Sequence, residues 1–124
     1  MSQTTTLILL PQTTYDGGGT ANVYTVTGNA QPAAAYYLGN QDLQTISYSF
    51  TNVTGNLEIE ATLASSPAAG DWFKVYEVEA DNNSNTNSTI NAYQNITGNF
   101  VYIRAKVKDF ANGVVQYVKL TYWG

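Results

Sequence analysis

The residues that favour pleated strands, Val, Ile, Thr, Tyr and Phe, are spread along the whole chain, and Gly, Asn or Pro interrupts them about every ten residues. No run keeps a helical 3.6-residue period beyond two turns. Strict alternation is plainest in Leu57-Glu58-Ile59-Glu60-Ala61-Thr62-Leu63, which predicts a strand with Leu57, Ile59, Ala61 and Leu63 on a core face and Glu58, Glu60 and Thr62 on a wet one. Further strands are expected at Thr5 to Leu10, Asn22 to Thr27, Ala34 to Leu38, Ile46 to Thr51, Trp72 to Glu79, Thr89 to Tyr93 (a weak one), Phe100 to Lys108 and Val114 to Tyr122. About seven to nine strands in 124 residues are too many for one flat sheet. The expectation is an all-β fold, an antiparallel β-sandwich of jelly-roll-like kind, built as one domain over residues 1–124 with residues 1–20 as a candidate N-terminal arm.

Asn112-Gly113 lies between two alternating runs and reads as a two-residue hairpin turn. That turn would pair Val107 with Val118, Ala105 with Leu120 and Ile103 with Tyr122, all facing the core. The opposite face would pair Lys108 with Tyr117, Lys106 with Lys119, Arg104 with Thr121 and Tyr102 with Trp123. It would hold four of the five cations and three aromatics on one strip. Opposed lysines repel by up to ~1 kcal/mol, so carboxylates are expected beside them, with Glu58 and Glu60 or Glu77 and Glu79 as the candidates. The segment Asn52-Val53-Thr54-Gly55-Asn56 returns as Asn95-Ile96-Thr97-Gly98-Asn99, which reads as one turn used twice.

Composition narrows the chemistry. The chain has no Cys and no His, which removes disulfides, thiolate nucleophiles, Cys/His zinc sites and imidazole bases together. Charged residues are 11% of the total, while Asn, Gln, Ser and Thr are abundant, so the surface is polar but mostly uncharged. Five cations against nine acids, for a net charge of −4, argue against a nucleic-acid partner. Leu7 to Leu10 is the longest aliphatic run, far short of the ~20 residues that span a bilayer, and Met1-Ser2-Gln3 lacks a basic secretory start. Neither a membrane partner nor export by the usual route is expected.

Glu58 with Glu60 stand two apart on one strand face, roughly 6.6 Å between Cα atoms, within range of a glycosidase pair. Glu77 and Glu79 share that spacing. Nothing around them predicts the burial that tunes such a pair, and a solvated face or salt-bridge partners is the plainer reading. Asp81, Asn83 and Asn85 occupy the first positions of a calcium-loop pattern, which then fails at Thr86 and Ala92. No cofactor and no catalytic residue is assigned. Ten Tyr and two Trp exceed what one small core holds, which points to a protein interface or a sugar-stacking platform. The candidate interface is Tyr102, Arg104, Lys106, Lys108, Tyr117, Lys119 and Trp123, joined by the apolar segment Leu7, Ile8, Leu9 and Leu10, which ends at Pro11 and looks like an arm.

Several segments follow one another in a distinctive order: Leu43-Gln44-Thr45-Ile46, Ala61-Thr62-Leu63-Ala64-Ser65-Ser66-Pro67, Asp71-Trp72-Phe73, and Ile96-Thr97-Gly98-Asn99-Phe100-Val101-Tyr102-Ile103-Arg104-Ala105-Lys106-Val107. Over about residues 36–123 this succession resembles a family of small β-sandwich virion structural proteins of tailed bacteriophages, especially phages of marine cyanobacteria. The resemblance implies a non-enzymatic building block made in the bacterial host cytoplasm and carried in the virion. Its partners would be other copies of itself and other virion proteins, as a head decoration protein or a neck or tail component. The alternative expectation is a carbohydrate-binding β-sandwich module that attaches the particle to a host glycan.

Overall fold

Two long strands organise the molecule. In the computed structural model, which describes residues 4–15, 24–33, 43–80 and 89–123, strand β5 runs unbroken over Leu43–Thr62 and β8 over Tyr102–Trp123. They pair antiparallel along nearly their whole length, from Thr45 with Thr121 to Thr62 with Tyr102. The other strands are β1 (Thr4–Leu10), β2 (Thr13–Thr14), β3 (Tyr24–Thr27), β4 (Gln31–Pro32), β6 (Phe73–Ala80) and β7 (Thr89–Thr97). The fold is all-β and antiparallel; among the described residues, eight strands form one sheet arranged like a sandwich. The expected strand at Ala34 to Leu38 lies outside the described residues.

The hairpin at Asn112-Gly113 is corrected by these strands. The chain does not reverse there; the expected strands Phe100 to Lys108, from Tyr102 onward, and Val114 to Tyr122 belong to the single strand β8, and Ile46 to Thr51 and Leu57 to Leu63, up to Thr62, merge likewise into β5. Strands of 20 and 22 residues would be about 70 Å long if straight, several times the radius of so small a domain, so both must bend. They bend together. Asn52 (φ 56°), Asp109 (φ 55°) and Gly113 (φ 86°) take left-handed backbone, and the pairing slips between Ser49 and Phe50 and on both sides of Thr54. These are β-bulges, which turn a strand and switch the side on which its side chains emerge. The Asn52 repeat is therefore a bulge within β5, whereas its second copy, Asn95 to Thr97, is the regular end of β7.

The bend divides the sheet into two halves that share β5 and β8. Residues 43–51 of β5 pair with β7 and with residues 114–121 of β8, which in turn carries β1 and β2. Residues 54–62 pair with β6 and with residues 102–112, which carry β3 and β4. One core joins both halves. From β5, Ile46, Tyr48 and Phe50 point inward before the bend and Leu57, Ile59 and Ala61 after it, the change of parity that the bulge demands. Ile103, Ala105, Val107, Val118, Leu120 and Tyr122, the inward set expected of the hairpin, are all buried, but in the ladder the first five pair with β5 residues and Tyr122 with Thr5 of β1, not with one another. Across the halves the Tyr48 and Tyr76 hydroxyls meet at 3.2 Å, and Tyr122 Oη donates to the Pro32 carbonyl at 3.2 Å.

Two glycines permit close backbone approach. A Cβ on Gly113 would lie 2.3 Å from the Asn52 oxygen, and one on Gly28 would lie 1.8 Å from the Leu9 oxygen. We expect Gly113→Val to destabilise by about 2 kcal/mol or more in urea titrations, since it adds both strain and a clash. Asp109→Gly should raise stability or leave it unchanged, because the backbone there already occupies a glycine conformation. A regular hairpin strand would instead lose roughly 0.5–1 kcal/mol from the same change.

Burial, helped by the Tyr76 hydroxyl, pushes the Tyr48 phenol from 10.0 up to about 12. A raised phenol pKa means that the fold favours the neutral hydroxyl. Its contribution is complete below about pH 10 and is lost as pH rises from there through 12. Tyr48→Phe should accordingly flatten the fall in unfolding free energy across that window.

Candidate interface

The second half of the sheet turns a charged face outward. Along β5, Glu58 pairs with Lys106 of β8 and Glu77 of β6, while Glu60 pairs with Arg104 and Lys74. Antiparallel pairing puts opposed side chains on one face, so five ion pairs form there. Arg104 Nε lies 2.8 Å from Glu60 Oε1 and Lys106 Nζ 3.6 Å from Glu60 Oε2. Lys108 and Lys74 approach Glu58 Oε2 at 3.9 and 4.0 Å, and Lys74 also meets Glu77 at 3.3 Å. The Trp72 ring covers Arg104, with the guanidinium carbon 4.2 Å from the ring centroid.

This corrects the wet face expected of Glu58, Glu60 and Thr62. All three are buried, with Glu58 at 7% and Glu60 at 9% exposure, and the two glutamates are flanked by the long side chains of Lys74, Arg104, Lys106 and Lys108. Leu63, expected in the core, is instead exposed where β5 ends. The expectation that carboxylates stand beside the cations holds for Arg104, Lys106 and Lys108. Lys106 does not oppose Lys119, because β5 brings Glu58 to the one and Ser47 to the other. The face carries Glu58, Glu60, Glu77 and Glu79 against Lys74, Arg104, Lys106 and Lys108, four charges of each sign, so it is neutral in sum.

The first half turns out an uncharged polar face with one cation. Its rows run across four strands: Thr6, Thr121, Thr45 and Asn95; then Ile8, Lys119, Ser47 and Tyr93; then Tyr117, Ser49 and Asn91. Hydrogen bonds bind neighbours within the rows, with Thr45 Oγ1 donating to Asn95 Oδ1 at 2.6 Å and Ser49 Oγ to Asn91 Oδ1 at 2.5 Å. Lys119 Nζ sits over the Tyr117 ring, 4.4 Å from its centroid. Tyr93 stands 69% exposed.

The sequence-derived interface is therefore divided. Tyr102, Arg104, Lys106 and Lys108 lie on the charged face, and Tyr117 and Lys119 lie on the uncharged one. Trp123 pairs through its backbone with Thr4 of β1, and its side chain lies outside the described residues. Leu7 to Leu10 form part of β1, where Leu9 and Leu10 enter the core, Leu7 packs against it and Ile8 is left 43% exposed. Sequence reasoning passed over Tyr93, Ile90 and Leu43, which are exposed on or beside β7. The signal that could have found Tyr93 and Ile90 was an uncharged alternating run continuing past Tyr93 to Thr97.

Comparison with protein-family models and with curated proteins finds no match for this chain. The calcium-loop candidates Asp81, Asn83 and Asn85 lie outside the described residues. Among the described residues, no three His, Cys, Asp or Glu side chains gather as metal ligands.

Glu60 holds two cations while itself buried, so its loss should be felt. We expect Glu60→Gln to cost about 2 kcal/mol, less than a fully buried ion pair because Arg104 and Lys106 are a quarter exposed. Adding Arg104→Met should recover part of that loss. Equal stability of wild type and Glu60→Gln in denaturant titrations would contradict the array's structural role.

Proposed function

We propose that this protein is a non-enzymatic virion structural protein of a tailed bacteriophage, a head decoration protein or a neck or tail component acting through protein–protein contacts. The observation that carries the reading is how the surface is divided. The closely spaced carboxylates Glu58 and Glu60 are ion-paired with Lys74, Arg104, Lys106 and Lys108, an arrangement that supports a structural role for them. Much of the remaining described surface is hydroxyl, amide and exposed apolar side chain, the chemistry of contact. The ordered segments from Leu43 to Val107 that resemble phage β-sandwich proteins add to this support.

One observation favours a second reading. Tyr93 rises from a polar face between Asn91 and Asn95, an arrangement in which a ring can stack on a sugar while amides bind its hydroxyls. On that reading the protein is a carbohydrate-binding module for host attachment.

Quantitative mass spectrometry of purified particles, with a map of the particle in which the chain is located, tests the first reading. We expect many copies per particle in a regular arrangement. Absence from particles would overturn it. Normal incorporation of a Tyr93→Ala variant together with weakened adsorption to host cells would favour the carbohydrate module.

A further inference from the structure

An exposed strand edge offers unpaired N–H and C=O groups to any strand that can lie beside it, and folded proteins ordinarily blunt such edges. Three edges of this sheet are blunted. On β1 the pairing slips between Ile8 and Leu10, Pro11 ends the strand, Gln31 Nε2 donates to the Ile8 carbonyl at 2.9 Å, and Gly28 presses on Leu9. Strand β6 carries Lys74, Glu77 and Glu79 and is bulged opposite Ile59 and Glu60. Strands β3 and β4 have four and two residues, and β4 contains Pro32.

β7 has none of these devices. It pairs with β5 over nine consecutive residues, Thr97 with Leu43 through Thr89 with Thr51, without a register shift. It contains no charge, no proline and no glycine. Among the described residues it pairs with β5 alone. Ile90 and Tyr93 are 41% and 69% exposed, and Asn91, Gln94, Asn95 and Thr97 are exposed as well.

The order of residues in β7 says what fits it. Thr89-Ile90-Asn91-Ala92-Tyr93-Gln94-Asn95-Ile96-Thr97 reads nearly the same in both directions about Tyr93. An antiparallel pair of identical strands related by a twofold axis at Tyr93 would place Thr89 against Thr97 of the second copy, Ile90 against Ile96, Asn91 against Asn95, Ala92 against Gln94, and Tyr93 against itself. Every such pair joins residues on the same face. The even positions continue the core side of the sheet, where Ile96 is buried and Ile90 lacks cover; the odd positions continue the polar face. Moving the axis by half a residue would set core-side against solvent-side residues, and moving it by one would leave Ile90 opposite Gly98 or the polar Gln94.

We infer that β7 is a homodimerisation edge, through which two copies of this chain join their sheets in antiparallel register about Tyr93. The backbone groups of both strands gain partners, and Ile90 of each copy is covered by Ile96 of the other. The interface is isologous, so it closes after two copies and does not propagate into a fibre. This inference goes beyond the virion reading and does not depend on it.

The chain has no cysteine, which makes single thiols unambiguous probes. A Tyr93→Cys thiol would face its own copy across the axis at a Cα separation of roughly 4.5–5.5 Å, within disulfide range. Asn91→Cys thiols would be offset by four residues along the strands, roughly 13 Å apart. On mild oxidation we expect Tyr93→Cys to form a covalent dimer, Asn91→Cys alone to remain unlinked, and a mixture of Asn91→Cys with Asn95→Cys to link. Charge variants give a second readout by sedimentation. Asn91→Lys with Asn95→Lys opposes two lysine pairs and should weaken the dimer by about tenfold or more, whereas Asn91→Lys with Asn95→Glu should retain it. Both double variants lose the same hydrogen bonds to Ser49 and Thr45, so a folding defect would affect the two alike.

A wild type that sediments as a monomer at high micromolar concentration, together with no linkage of Tyr93→Cys, would overturn the inference. Linkage of Asn91→Cys as fast as Tyr93→Cys would overturn the register. A linked dimer absent from purified particles would leave this inference standing and remove the virion reading.

Discussion

The close approach of two backbones at Gly113 and Asn52 is the contact on which the rest of the structure depends. There the central strands must turn through the same corner while remaining paired, and Asn112 Nδ2 fastens the corner by donating to the Asn52 carbonyl at 3.1 Å. A side chain at position 113 would force the strands apart, because its Cβ would meet the Asn52 and Thr51 carbonyl oxygens. Because both strands pass through the corner, each contributes to both layers. The layers are then aligned by continuous backbone, with side-chain packing filling the space between them.

The corner also sorts the polar residues. Bulges reverse which residues point outward, so the four glutamates and four of the cations collect on one half while the other receives hydroxyls and amides. Glu58 and Glu60 are tolerated in near-burial because each is surrounded by more than one cation, an arrangement that compensates charges withdrawn from water. The other face owes little to charge. Its side chains bind to one another within rows, and Tyr93 remains the largest exposed feature described there.

Much of this was legible in the chain, and the division between what was and was not has a physical cause. Alternation is a local property, so the inward residues of both arms of β8, Ile103 through Val107 and Val118 through Tyr122, could be read correctly. Which strand lies beside them is decided by distant residues. Gly113 can supply its left-handed backbone to a hairpin turn or to a bulge, and the strand that lies against it here, at Asn52, comes from far along the chain. Glu58 and Glu60 looked solvated because the groups that hold them, Lys74 from one side and Arg104 to Lys108 from the other, arrive from β6 and β8. β7 looked weak because its residues are polar on one side and only half covered on the other, which is how an edge strand reads.

A sheet whose two layers share their central strands has no seam. Thr62 pairs with Tyr102 near one end of the ladder and Thr45 with Thr121 near the other, so neither layer can be assembled from a contiguous stretch of chain. In a sandwich of separate sheets, one layer can loosen while the other persists. Here loss of either layer strips pairing from the same two strands that hold the other, so the domain is built to open as one cooperative unit.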